Sequence, residues 1–167
     1  MAVQEIEATA FTESPFQLIG KEWLLVAAEA DGKANAMTAS WGGMGVLWGK
    51  NVAFIFIRPT RYTKEFVDKA DVLTLSVFPE DRRKMMSYFG TVSGRTEDKI
   101  AKAGLTAHHE GGYTTFDEAR VTMQCRKLYA QPLDPACFID KSCDEKWYDD
   151  DYHTMYVVEI EKILVRS

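Results

Sequence analysis

Apolar residues recur along the chain in short runs separated by glycine, proline and acidic turns. Continuous apolar runs of this length are typical of buried strands, and alternating apolar and polar positions are typical of half-buried ones. The strongest strand pattern is at residues 52–57, just before Pro59, and is rich in β-branched and aromatic residues. The pattern predicts strands over residues 23–28, 35–41, 52–57, 72–78, 119–130, 155–160 and 163–165.

The stretch over residues 35–63 has an unusual distribution of polar groups for plain β-structure. Strand side chains alternate between faces, so Met37, Ala39 and Trp41 share one face, and Thr38 and Ser40 lie on the other. We therefore expect the hydroxyl-bearing face to be free to meet a ligand. The glycine-rich segment that follows, residues 42–45, is predicted to form a turn into the next strand.

Helices are predicted to be few and short. Thr60 is a suitable N-cap for a helix that carries Tyr62, Phe66, Val67 and Ala70 along one side. The pattern also predicts helices over residues 82–89 and 96–103, a surface loop over 105–118, a loop over 137–151 and a solvated acidic turn within it.

These elements predict a mainly β fold. The six or seven strands follow one another without a repeated strand-helix-strand rhythm, which favours an antiparallel barrel or sandwich over a doubly wound sheet. No GxGxxG motif opens a helix after a strand, so a dinucleotide-binding domain is not indicated. The length of 167 residues fits a single domain over residues 1–167.

Charge and hydropathy exclude two classes of partner. The net charge of −5 and the scattered basic residues argue against a nucleic-acid surface. No apolar run approaches the ~18 residues of a membrane span, and no secretory signal pattern opens the chain. We expect a cytoplasmic protein.

Cysteine and histidine give little support for a disulfide or metal site. The three cysteines form no CxxC pair. Cys125 falls on the apolar face of an alternating segment and is interpreted as a buried, inert thiol, while Cys137 and Cys143 flank a predicted loop. His108 and His109 are adjacent, so they cannot easily point at one metal, and His153 is interpreted as a structural histidine.

Two places combine cations, hydroxyls and a helix start, a combination that suits a bound phosphate. The first contains Arg58, Arg61 and Thr63, just after the strongest strand. The second contains Ser93, Gly94 and Arg95. The alternatives are a solvent-exposed arginine at the first place and an ordinary capped turn at the second.

Taken in order, these motifs resemble the flavoredoxins, within the flavin reductase-like family of FMN-binding split barrels. The resemblance rests on NAMTASWG at residues 35–42, RPTRYT at 58–63, SGR at 93–95 followed by DK at 98–99, and YHTMY at 152–156. It implies a Greek-key split β-barrel, a homodimer and FMN bound near the subunit interface. Members of the family either carry electrons through the flavin or reduce flavin with NAD(P)H.

The resemblance also implies the site residues. Thr38, Ala39, Ser40 and Trp41 would lie along the flavin ring and ribityl chain, and Arg58, Arg61, Tyr62 and Thr63 would hold the phosphate. The pocket would be completed from its outer side by Ser93, Gly94, Arg95 and Lys99. Because the flavin itself accepts the hydride, no catalytic acid or base is predicted. Val157 and Val158 depart from the family, which tends to have a glycine before Glu159, and residues 137–151 match it weakly.

Two other functions remain open from the sequence. One is a non-enzymatic split barrel that binds another ligand such as haem, for which His108, His109 and His153 are the candidate imidazole ligands. The other is a dimerisation domain without a ligand. The physiological electron donor, NAD(P)H or a redox protein, is not indicated by the residues.

Overall fold

The fold is built on ten strands in the computed structural model, which describes residues 2–167. They are β1 (Val3–Ile6), β2 (Leu24–Ala30), β3 (Lys33–Ala39), β4 (Gly42–Leu47), β5 (Lys50–Ile57), β6 (Val72–Val77), β7 (Ala107–Glu110), β8 (Tyr113–Phe116), β9 (Val121–Pro132) and β10 (Thr154–Arg166).

Eight of the strands form one antiparallel sheet in the order β3-β2-β6-β9-β10-β5-β4, with β1 added on β10. Strand β10 is central because it pairs with β9 on one side and with β5 and then β1 on the other. Its register to β9 shifts at two places, where bulges bend the long pair. The predicted antiparallel split barrel is confirmed.

The helices are short and lie outside the sheet. They are α1 (Pro15–Gln17), α2 (Thr63–Lys69), α3 (Arg83–Thr91), α4 (Lys99–Lys102) and α5 (Lys141–Trp147). Helix α3 packs on β3, and α2 packs on β2 and β3. Within residues 2–167, no helix is long and apolar enough to cross a lipid bilayer.

The core has two parts, one on each side of the β2–β3 hairpin. Residues that alternate along the strands fill the barrel, among them Ile55, Met123 and Tyr156. The opposite face of the hairpin packs under α3, where Phe89 and Phe116 are buried. The predicted alternation of residues 35–41 therefore holds through β3, and it places Thr38 on the face covered by α3.

Two predicted turns or loops are strands in the structure. Residues 42–47 form β4, whose backbone pairs with β5 from Gly42 opposite Ile55 onwards. Residues 105–118 contain the β7–β8 hairpin, closed by Gly111 and Gly112 with φ of +61° and +84°. Positive φ at both central residues is the geometry of a two-residue hairpin turn, which the glycine pair permits.

Several helix boundaries also differ from the predicted ones. Helix α2 begins at Thr63 without a side-chain cap, so Thr60 is not its N-cap and Arg61 precedes the helix. Helix α3 continues through Gly90 to Thr91. Helix α4 is shorter than predicted because Asp98 caps it by accepting a bond from the Ala101 amide. Helix α5 lies where a loop was predicted.

Candidate functional site

Two neighbouring cavities share the side chain of Arg61. The first, here called the Trp41 cavity, has a volume of about 220 Å³, and the second, the Lys99 cavity, about 190 Å³. Six residues of the predicted site line the Trp41 cavity: Thr38, Ala39, Ser40, Trp41, Arg58 and Arg61. Six line the Lys99 cavity: Arg61, Tyr62, Thr63, Ser93, Gly94 and Lys99.

The Lys99 cavity contains two cations, of which Lys99 is buried and Arg61 is partly buried. Lys99 is only 3% exposed, and its Nζ donates to the carbonyl oxygen of Phe89 at 3.3 Å. Arg61 donates to the carbonyl oxygens of Phe89 and Gly90 at 3.0 and 3.2 Å. In residues 2–167, neither cation lies within 4.0 Å of a carboxylate oxygen. Carbonyl dipoles at the end of α3 therefore hold both cations without neutralising them.

Burial lowers the pKa of both cations, and repulsion between them lowers the pKa of Lys99 as well. Desolvation, and after it the adjacent charge of Arg61, together lower the pKa of Lys99 to about 8. Desolvation also lowers the pKa of Arg61. Such a pair favours an anion, because an anion would offset the cost of burying two like charges.

The wall of the Lys99 cavity is fixed by a close contact between β3 and the Ser93–Arg95 turn. The buried Asn35 amide donates to Thr63 Oγ1 at 2.9 Å. A Cβ atom at Gly94 would lie 2.2 Å from Asn35 Oδ1, so only glycine allows the turn to approach this closely. The Ser93 hydroxyl accepts a bond from the Arg95 amide at 3.1 Å.

One predicted contact takes a different form, and one predicted residue lies at the outer side of the site. The Thr38 hydroxyl is not free, because it donates to the carbonyl oxygen of Met86 in α3 at 2.6 Å. Arg95 lies outside both cavities, on an open depression next to them. Its guanidinium pairs with Glu65 at 2.9 Å and lies 4.5 Å from the centre of the Tyr62 ring. Arg95 thus braces Tyr62 from the outer side.

Arg58 also has protein partners, which lie 89 and 93 residues further along the chain. Its Nη1 pairs with Asp151 Oδ2 at 2.7 Å, and its Nη2 donates to the carbonyl oxygen of Trp147 at 2.9 Å. Hydrogen bonds, first from the Asp149 amide and then from Arg58, lower the pKa of Asp151. Arg58 is therefore a neutralised cation, unlike Arg61, and the distance along the chain hides this from sequence analysis.

Aromatic groups form most of the remaining wall of the Trp41 cavity. Four of its lining residues were not predicted as site residues: Met37, Phe56, Trp147 and His153. The Trp41 ring contacts the Trp147 ring edge-on, with centroids 4.9 Å apart, and lies 5.3 Å from the His153 ring. A cavity with flat apolar walls and a few polar groups is suited to a planar ring with hydrogen-bonding edges.

His153 is a neutral member of this wall. Burial lowers the pKa of His153 to about 4, and the nearby charge of Arg58 acts in the same direction. Its Nδ1 lies 2.7 Å from the hydroxyl oxygen of Tyr148. The structure thus gives His153 a hydrogen-bonded place at the cavity, which its position before β10 did not reveal.

The other histidines and the cysteines lie elsewhere. His108 pairs with Asp117 at 3.1 Å and His109 with Glu29 at 2.7 Å, both exposed on the β7–β8 hairpin. Cys125 is fully buried, as predicted, and burial raises the pKa of its thiol. Cys137 and Cys143 are exposed and free. Among the described residues, no group of three His, Cys, Asp or Glu side chains could hold a metal ion.

The fold and this pair of cavities agree with a match to a known family. Residues 17–167 match the flavin reductase like domain, so the chain belongs to that family. Membership supports a flavin-related function and favours flavin over haem as the ligand class. No curated protein matches the sequence.

Solved structures share the fold at low sequence identity. The flavoredoxin of Desulfovibrio vulgaris (Miyazaki F) is 19% identical with a TM-score of 0.70, covering 98% of this chain and 78% of that one. The FMN-binding domain of a flavin reductases-like enzyme from Shewanella baltica OS155 is 14% identical with a TM-score of 0.70, covering 98% and 77%. Flavoredoxin from Methanosarcina acetivorans is 19% identical with a TM-score of 0.68, covering 87% and 69%.

Proposed function

We propose that the protein binds FMN and acts as an oxidoreductase that passes electrons or hydride through it. The observation that carries the proposal is the pair of adjacent cations, buried Lys99 and partly buried Arg61, with no carboxylate partner among the described residues. The phosphate of FMN carries about two negative charges near pH 7. It would supply the missing counter-charge.

The two cavities divide the cofactor between them. Arg61 and Lys99 would hold the phosphate, with the hydroxyls of Thr63 and Ser93 at the same cavity. Residues 38–41 and Phe56 would line the ring, and Trp41 would provide an aromatic surface beside it. A charge-assisted hydrogen bond contributes about 1.5–3 kcal/mol, so the phosphate contacts should dominate retention.

When bound, the flavin supplies the redox chemistry, because its ring accepts and returns a hydride or single electrons. The chain's own residues orient that ring and exclude water from it. Neutral His153 and the aromatic wall give the ring an environment of low polarity. We propose NAD(P)H or a redox protein as the electron donor.

We also propose that the chain forms a homodimer in the cytoplasm. Trp48 and Tyr129 contact each other with centroids 6.0 Å apart, yet they are 58% and 43% exposed. Exposed aromatic side chains of this size suit a protein interface. The free thiols of Cys137 and Cys143 fit a reducing compartment. Light scattering at several concentrations tests the dimer directly.

An absorption spectrum of the purified protein is the first test of the cofactor. We expect flavin bands, and release by heat of about one FMN per chain. Arg61→Ala should weaken FMN binding by roughly 10- to 150-fold, the equivalent of about 1.5–3 kcal/mol. Arg126→Ala, which removes an exposed arginine of β9, is the matched control. Failure of the wild type to bind FMN, or a Soret band in its place, would contradict the proposal.

A further inference from the structure

The connection between β9 and β10, residues 133–153, contributes one wall of the Trp41 cavity. Within it, the rings of Phe138, Tyr148 and Tyr152 pack on one another with centroids 4.9–6.1 Å apart. The Tyr152 hydroxyl donates to Asp144 Oδ1 at 2.8 Å, which ties the end of the connection to α5. The connection is therefore braced internally.

Arg58 attaches this connection to the barrel. Its guanidinium contacts the connection three times, at the Asp151 carboxylate, the Trp147 carbonyl and the face of the Tyr148 ring, 5.0 Å from the ring centre. We call these three contacts the Arg58 latch. The latch places the Trp147 indole against Trp41, although 46% of Trp147 remains exposed.

The position of Trp147 limits the space beside Trp41. The cavity volume of about 220 Å³ is smaller than the ~300–1,000 Å³ of pockets that enclose organic ligands. With the indole in place, the cavity is too small to enclose two stacked ring systems. Moving the connection away from Arg58 would open the cavity on that side and widen it.

We propose that Trp147 controls access to the Trp41 cavity, held there by the Arg58 latch, and selects against reactants that must insert a second ring. The inference rests on the proposed function, since the first ring is that of the flavin. A nicotinamide ring must displace Trp147, whereas a small inorganic reductant does not. Trp147 is thus a specificity-determining residue for the electron donor.

Binding kinetics of FMN test the access role without any turnover. A residue that only contacts the ligand affects the dissociation rate, whereas a cover affects association and dissociation together. We expect Trp147→Ala to raise both rate constants at least fivefold while Kd changes less than threefold, measured by stopped-flow fluorescence. Asp151→Asn, which weakens the latch but keeps the indole, should shift both rates in the same direction. Ile139→Ala, fully exposed in the same connection, is the matched control.

The choice of donor is tested by anaerobic reduction of the FMN-loaded protein. Trp147→Ala should raise the rate of reduction by NADH at least fivefold and leave reduction by dithionite within twofold of the wild type. A lower rate with NADH would make Trp147 a platform for the donor and overturn the inference. An unchanged association rate for FMN would also overturn it. Neither result contradicts the proposed function, which fails only if the wild type does not bind FMN.

Discussion

Replacing Lys99 by methionine should change cofactor affinity and protein stability in opposite directions. Methionine keeps the length and volume of the buried stem but removes the charge. In the FMN-free protein the pKa of Lys99 is lowered from 10.5 to about 8, a difference of about 2.5 units. At about 1.36 kcal/mol per unit, burying the charged ammonium costs on the order of 3 kcal/mol below pH 8.

The same numbers predict how FMN binding depends on pH. A phosphate in the Lys99 cavity favours the ammonium form, so the pKa of Lys99 rises again in the complex. Between the two pKa values binding takes up a proton, and Kd increases about tenfold per pH unit. For the wild type, Kd should be nearly constant from about pH 6.5 to 7.5 and should rise about 25-fold from about pH 7.5 to 9.5.

The sign of the stability effect follows from the same linkage. The unfolded chain binds more protons than the folded one between pH 8 and 10.5, so this group's contribution to the free energy of unfolding rises with pH there. Lys99→Met removes the cost. At pH 7 we expect the FMN-free variant to be more stable than the wild type by up to about 3 kcal/mol.

Fluorescence titration of FMN across this pH range and urea denaturation of the FMN-free protein measure the two effects. Lys102→Met, which alters an exposed lysine of the same helix, should keep the wild-type pH dependence. The reasoning is refuted if Kd of the wild type is independent of pH, or if Lys99→Met retains the rise above pH 8. A variant that binds FMN as tightly as the wild type at pH 7 would also refute it.

Three further predictions concern other parts of the site and the core. Gly94→Ala should destabilise the protein by about 1–3 kcal/mol in urea denaturation, because its Cβ would meet Asn35 Oδ1 at 2.2 Å. His153, with a pKa of about 4 folded and 6.5 unfolded, should make the protein lose stability as pH falls from 6.5 to 4, and His153→Gln should reduce that loss. A thiol reagent should modify two cysteines of the native protein rapidly and Cys125 only after unfolding.

The strand pattern was predictable wherever burial is one-sided or complete. Strands β2, β5, β6, β9 and β10 follow continuous or alternating apolar residues, since these positions fill the barrel. Strand β4 and the β7–β8 hairpin were missed because most of their residues are glycine, polar or exposed, and the one fully buried apolar residue, Phe116, gives no alternating pattern. Helix boundaries were displaced because local capping, such as that of α4 by Asp98, decides where a helix begins.

The residues of the site were predictable from the sequence, but their ion pairs and side-chain contacts were not. The order of the motifs indicated eleven residues that line the two cavities, together with Arg95 beside them. Whether a given cation is neutralised depends on partners far along the chain, as Arg58 and Asp151 show. The role of Trp147 was invisible for a similar reason, because its contact with Trp41 joins two regions with no sequence relationship.

The central position of β10 sets the order in which the chain can fold during its synthesis. Its thirteen residues supply the partner edges for β9, β5 and β1, and Arg166 pairs with Val3. Until the residues of β10 leave the ribosome, strands β9, β5 and β1 have exposed backbone edges and an uncovered apolar face. Synthesis proceeds at about 5–20 residues per second, so these strand edges stay unpaired for several seconds. Chaperones would be of most use during this period.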